Sequence, residues 1–466
     1  MPFCSSNCFF ATKSRVKMFK CLRIWSISLL SVFLICGDLR ADNWTQFRGP
    51  KWDGSTQSSP SKWDASENVR WKIELQGEGW SSPVFWGDML FLTVAVPDEG
   101  GKETTRPQPY SGGGGQRRSD LTNVMYRFEL ICLDRNSGKE VWRKIAKTAK
   151  PSLPRHSSNS YATETPITDG KFVYAYFGMT GLFCYDLVGN LQWSKNIGSF
   201  KMRAGWGTSS SPILFNQTLF VQVDNEEQSF VVALDAATGK EKWRANRNEP
   251  SQYSSPIIWQ NSRRKELIVG GQVYRSYDPE NGKLLWSLDM SKGRSSATPI
   301  AVGERLYVGT EFRNRGGADD GGGFLFCVRP GGKGDITPSG KAASNDAVAW
   351  KIEKSGIQMA SPVYCRGHIY LLERRGGIVN CINAESGVVV YRKRVPTASA
   401  FWASPWTDGE RVFCLDGDGT THVLSGGKTF GVISRNKIDE QSWSSPSVSN
   451  GMLFLRTIDR LYCIGN

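Results

Sequence analysis

Apolar residues along this chain come in short runs rather than at helical spacing. SSPILFN (210–216), TLFVQVD (218–224), SFVVALD (229–235) and GKEKWRAN (239–246) follow one another, each bounded by turn-forming residues. Short apolar runs with this punctuation predict four strands and no helix. Asp235 is placed to cap the last turn, and Gly239 supplies the positive φ that closes the hairpin. The same phrase returns along the chain. Ser/Thr-Pro before an apolar run recurs at Pro83, Pro166, Pro212, Pro256, Pro299, Pro362, Pro405 and Pro446. A second phrase, ALDAATGKEKW ending at Trp243, has relatives ending at Trp142, Trp193, Trp286 and Tyr391.

Five of the seven proline-to-proline gaps run from 41 to 46 residues. Eight units of this length, each with four short strands, predict an all-β fold: an eight-bladed β-propeller of four-stranded antiparallel blades. The recurring tryptophan falls on the outermost strand, where a large ring can wedge between one blade and the next. The eighth unit stops at Asn466 without an outer strand, whereas Asn68 to Leu75, carrying Trp71, has no blade of its own. That N-terminal strand is expected to complete the last blade and close the ring, which removes free sheet edges. The division is therefore a signal peptide (1–41), a strap against one face (42–67) and the propeller (68–466). Two Gly-, Arg- and Asp-rich insertions, 97–127 in blade one and 312–347 in blade five, are expected to be unpacked loops.

The first 41 residues combine a basic start with an apolar run of 13, Ile24 to Cys36, and a cleavage-like Leu39-Arg40-Ala41. That run is too short to span a bilayer, which needs ~20 residues, and implies export to the periplasm or outside the cell, with an uncleaved signal anchor as the alternative. No other segment is long and apolar enough to span. The segment holds six basic residues and one aspartate, which brings the formal charge from +14 to +9 for the remainder. This excess is spread over short clusters and forms no basic stripe on a nucleic-acid-binding module. Cys132, Cys184, Cys327, Cys381 and Cys463 occupy one repeat position inside apolar runs and read as small buried residues, not a disulfide framework.

The phrase ALDAATGKEKW resembles the tryptophan-docking motif of the quinoprotein propellers, which bind pyrroloquinoline quinone or share its repeat. NWTQFRGPKWDGS (43–55) and VRPGGKGDIT (328–337) are similar to segments of exported members of that repeat family. The resemblance implies the propeller fold over residues 68–466. For the dehydrogenases of the family it further implies a quinone stacked between a tryptophan and a disulfide of adjacent cysteines, with calcium held by Glu, Asn and Asp. This chain has no Cys-Cys pair and no Cys-x-x-Cys-His haem site. No cofactor is therefore expected, and pyrroloquinoline quinone with calcium is the alternative.

Other chemistries lack their residues. The three histidines, His156, His368 and His422, fall on different blades, so no zinc site or triad is expected. SGGKT at 425–429 has His422 where a phosphate loop needs glycine, and DGDGT at 416–420 reads as a tight turn. One aromatic pattern stands out. Trp80, Tyr253, Trp402 and Trp443 each sit three residues before a repeat proline, where the innermost strands crowd the central channel. Blades seven, eight and one are neighbours once the ring closes, so Trp402, Trp443 and Trp80 form an arc at one channel mouth, with Trp206 added from blade three. A second, polar candidate combines His156 and Asn159 with Asp224 and Glu226, from blades two and three. Together these predict an exported, non-catalytic binding or scaffold protein similar in architecture to the BamB type. Its ligand would be a protein, small molecule or glycan at the propeller face. The alternatives are a divergent quinone-dependent oxidoreductase and a carbohydrate-active enzyme working at the aromatic mouth.

Overall fold

The structure is a computed structural model that describes residues 43–98, 118–119, 121–291, 293–311 and 323–465. The signal segment, most of the 97–127 insertion and residues 312–322 of the second lie outside the described residues.

Eight antiparallel sheets follow one another along the chain, as the repeat predicts. Blade three shows why its residues form them. Its strands Thr218–Val223 and Ser229–Asp235 are buried along almost their whole length, because neighbouring blades cover both faces. Its fourth strand, Glu241–Arg247, alternates between exposed and half-buried positions at the rim. Continuous apolar runs inside and alternation outside follow from that layering. Blade eight takes Met452–Arg456 and Arg460–Ile464 from the C-terminus and Val69–Glu74 from the N-terminus, with Trp71 opposite Cys463.

The repeat cysteine now has a physical reason. Cys132, Cys184, Cys327, Cys381 and Cys463 pair across the sheet with Trp142, Trp193, Trp350, Tyr391 and Trp71. A large ring on the rim strand needs a small residue opposite; Ala233 and Ser276 fill that role against Trp243 and Trp286. The register shifts beside each of these pairs, a bulge that re-aims the aromatic side chain. All seven described cysteines are buried and unbridged.

The expectation that 312–347 is unpacked is corrected. Gly323–Val328 is the third strand of blade five, and Gly334–Asp335 adds a fifth, parallel strand to the edge of blade four. Ile336 N donates to Ser287 O at 2.9 Å just beyond it. Glycine-rich chain was read as loop, yet here it lies flat along a rim strand and covers its open edge. The hairpin it replaces would have received Trp286. That ring is instead fully buried, and its Nε1 donates to Glu266 Oε2 within its own blade at 2.6 Å.

Residues 43–59 run across the inner strands, and Ser61 and Trp63 reach the outer strand of blade seven, Val432–Lys437. The Trp44 and Thr45 carbonyls accept from Phe85 N and Thr168 N of blades one and two, at 2.9 and 3.0 Å. Arg48, buried, donates to the Pro362 and Pro405 carbonyls of blades six and seven at 2.6 and 3.4 Å. Phe47, between these anchors, therefore lies across the channel.

Candidate functional site

The residue before each repeat proline is a serine or threonine, and these eight residues form a belt. Ser82 N donates to Thr165 Oγ1, Thr165 N to Ser211 Oγ, Ser211 N to Ser255 Oγ and Ser255 N to Thr298 Oγ1, at 2.9 to 3.1 Å. The series continues from Thr298 N to Ser361 Oγ, Ser361 N to Ser404 Oγ and Ser404 N to Ser445 Oγ, at 2.9 to 3.0 Å. At the seam between blades eight and one the direction reverses, and Ser82 Oγ donates to Ser445 O at 2.7 Å. The proline beside each hydroxyl carries no N–H, so the belt bond is made by the residue before it. Seven hydroxyls thus accept from a neighbouring blade, and all seven residues line the channel.

Above the belt the channel widens into a well of about 700 Å³ with Phe47 among its lining residues. That size suits a small ligand; such sites run ~300–1,000 Å³. All eight residues three before the prolines line it: Trp80, Thr163, Ser209, Tyr253, Ser296, Met359, Trp402 and Trp443. Their neighbours divide the mouth into three sectors. On blades seven, eight and one, Trp402 and Trp80 flank Trp443 with centroids 5.4 and 5.0 Å from it and tilts of 31° and 33°. Trp80 Nε1 donates to Ser158 O at 3.0 Å, which ties this arc to blade two.

Trp206 does not extend that arc. It stands across the ring beside Tyr253 at 6.3 Å, with His156 edge-on at 6.3 Å and the Arg294 guanidinium over its face at 4.6 Å. The Tyr253 hydroxyl is buried without a hydrogen-bond partner among the described residues. Asn159 fixes this sector, its Nδ2 donating to the carbonyls of Trp206 and Thr208 at 2.9 and 3.1 Å. His156 Nδ1 accepts from Ser158 N at 3.1 Å. Burial, then Arg155 and Arg374, hold its pKa below the usual histidine value, so the ring is neutral at pH 7. Under this sector Arg155 and Glu78 form a buried ion pair at 2.6 Å, and burial raises the Glu78 carboxyl to about 7 against the pull of Arg155.

The third sector, blades five and six, was not anticipated. It carries Arg294, paired with Glu311, together with Arg374 and Arg375 from a hairpin of blade six. The Arg374 guanidinium lies 5.4 Å from the Trp402 ring centre. These arginines sit at no repeat position, so periodicity gave no signal for them. The belt hydroxyls did carry one, in the Ser/Thr that precedes every repeat proline.

Asp224 and Glu226 do not reach the mouth. Asp224 is buried against Arg247 at 2.8 Å, where it also meets Gln222 Nε2 at 2.7 Å. Glu226 accepts from Ser251 N at 3.0 Å and lines a separate groove on blade three. Their polar chemistry grouped them with the loop of blade two; the connection between the second and third strands of blade three, Thr218–Val223 and Ser229–Asp235, carries them elsewhere.

Residues 127–321 match the family model described as outer membrane protein assembly factor BamB. BamB from Moraxella catarrhalis superposes with a TM-score of 0.55 at 14% identity, over 85% of this chain and 97% of that one. The quinohemoprotein alcohol dehydrogenase ADHIIG from Pseudomonas putida HK5 superposes with 0.54 at 12%, over 91% and 80%. At these identities the structural likeness is one of fold. No curated protein sequence matches the chain.

The mouth does not fit the quinone–calcium pair. Its one described lining carboxylate, Glu311, is tied to Arg294. The seven described cysteines lie inside blade sheets, and no two cysteines are adjacent in sequence. Among the described residues no three His, Cys, Asp or Glu side chains are grouped to hold a metal ion, and no helix is long and apolar enough to cross a membrane.

Proposed function

We propose that this protein is an exported, non-catalytic binding protein of the cell envelope whose ligand enters the aromatic well. The observation that carries the reading is the stacking of two functional layers on one rigid ring. Tryptophans stand at the mouth, and below them seven hydroxyl-bearing residues line the channel. Apolar faces that orient a ligand, with a few convergent polar groups, are the composition of a binding site. Among the lining groups able to transfer protons, His156 Nδ1 is held by Ser158 and Glu311 by Arg294. The family model and the BamB superposition support a scaffold role in the envelope. The dehydrogenase superposition keeps a quinone-dependent oxidoreductase as the second reading.

A fluorescence titration tests this. The intact chain and its Trp402→Ala and Trp443→Ala variants are titrated with oligosaccharides, short peptides and heteroaromatic acids, including pyrroloquinoline quinone with calcium. Quenching that either variant abolishes is the expected result. Dye reduction dependent on added quinone would replace it with the second reading.

A further inference from the structure

The belt has hydrogen-bonding capacity to spare. A serine or threonine hydroxyl has one O–H to give and two lone pairs to receive. In Thr165, Ser211, Ser255, Thr298, Ser361 and Ser404 the oxygen receives a backbone N–H from the adjacent blade. All six residues are more than nine-tenths buried, and all six line the well. Among the described residues none of their own O–H groups meets an acceptor. A ligand that fills the well down to the belt must therefore carry acceptors. Peptide N–H groups would need acceptors from the well instead. The belt oxygens already hold an N–H each, and the lining carboxylate of Glu311 is held by Arg294. Sugar hydroxyls donate or accept as required and match the belt.

The apolar wall points the same way. A flat aromatic acid is served by a pair of parallel ring faces. Here Trp402 and Trp80 are tilted by 31° and 33° from Trp443 and form a curved wall. A puckered ring with C–H groups on its face and hydroxyls around its edge fits a curved apolar wall above a polar belt.

The strap sets how such a ligand enters. It is anchored to blades one and two through the Trp44 and Thr45 carbonyls and to blades six and seven through Arg48. Phe47, between these anchors, lines the well. A long chain cannot thread past this crossing and must enter by its end.

We propose that the well takes the end of an uncharged saccharide chain, with sugar rings against Trp402, Trp443 and Trp80 and sugar hydroxyls on the belt. This inference rests on the well being the ligand site.

The test uses the full chain, calorimetry and tryptophan fluorescence. The probes are laminarihexaose, maltohexaose and mannohexaose, with tetragalacturonate, tetraalanine and pyrroloquinoline quinone as contrasts. At least one neutral hexaose should bind with the same affinity at low salt and at about 0.3 M NaCl, where charge-driven binding is screened. Trp443→Ala should weaken it by about tenfold. Trp443→Phe, which keeps an aromatic face and should fold normally by circular dichroism, should weaken it less. A soluble linear polymer of the same linkage should bind with the same number of protein molecules per chain as the hexaose. A number that rises with chain length would overturn entry by the end. Binding confined to tetragalacturonate and lost at high salt would overturn the uncharged class. Binding confined to tetraalanine or the quinone, and abolished by Trp443→Ala, would overturn the saccharide and leave the well as the site. Silence toward every probe would remove the well reading itself.

Discussion

The indole Nε1 of Trp243 donates to the carbonyl of Pro279 at 3.1 Å, across the boundary between blades three and four. The same bond links Trp71 to Arg135, Trp142 to Leu187, Trp193 to Ala236 and Trp350 to Ala384, at 2.9 to 3.2 Å. In each case the ring also lies over the glycine of the turn it reaches, Gly138, Gly189, Gly239, Gly282 or Gly387. The two recurring features of the repeat are thus halves of one contact. On these five blades the tryptophan meets the turn glycine of the next.

That pairing is testable as a cycle. Gly282 has φ +75°, and a Cβ there would come 2.6 Å from the Trp243 ring. Gly282→Ala should destabilise the ring by about 2–4 kcal/mol, from left-handed strain of ~1–2 kcal/mol together with the clash. In a Trp243→Ala background the clash vanishes and only the strain remains. Denaturant unfolding of the two single variants and the double variant should show a coupling of about 1 kcal/mol or more. Additive effects would mean that the ring does not bear on the turn.

The belt yields a second expectation. Ser361 Oγ accepts from Thr298 N, and both residues are buried. Ser361→Ala leaves that N–H without a partner and should cost about 1–3 kcal/mol. Ser361→Thr keeps the acceptor and should cost less. Thermal unfolding of the pair separates loss of the hydroxyl from loss of packing; equal destabilisation by both would remove the belt as a cause.

A third concerns pH. Glu164 is 2% exposed, and burial raises its carboxyl to about 7 against a smaller opposing effect from the Thr208 hydroxyl. The folded carboxyl therefore keeps a proton that the unfolded chain loses near its usual 4.5. This contribution to stability is full below pH 4.5 and is lost as pH rises through about 7. Glu164→Gln, neutral at all pH, should match the parent near pH 5 and exceed it at pH 8 by up to about 3 kcal/mol. Glu78 titrates in the same window, so part of the parent's slope should survive in the variant. Parallel stability curves for the two proteins would contradict the assignment.

The unequal legibility of these features has physical causes. Strands, blades and the tryptophan fastener were legible because each blade repeats the same packing problem and solves it with the same residues. The arc of Trp80, Trp402 and Trp443 was legible for the same reason, since position relative to a repeat proline fixes height in the channel. Arg294, Arg374 and Arg375 were not, because they come from blade-specific connections that the repeat does not constrain. Trp206 was assigned to the wrong sector: it lies in the loop before blade three, and Asn159 of blade two decides where that loop turns. Asp224 and Glu226 were grouped with the polar loop of blade two on chemistry alone, and a buried ion pair accounts for Asp224.

The floor of the well supplies the last prediction. Arg48 is 3% exposed and gives its guanidinium to four carbonyls, those of Trp52, Asp53, Pro362 and Pro405. Its burial is costly, lowering its own pKa to about 10 against the opposing charge of Asp53, and the four acceptors also offset that cost. Removing the side chain leaves those carbonyls without their donor and releases the segment that holds Phe47 across the channel. Arg48→Ala should therefore cost about 2–4 kcal/mol and loosen the strap before the blades. Lys51, exposed beside it, provides the readout. Trypsin should cut after Lys51 faster in Arg48→Ala than in the parent, while the propeller resists digestion in both. If cleavage at Lys51 is unchanged, or the blades are lost together with the strap, Arg48 does not pin this segment independently of the ring.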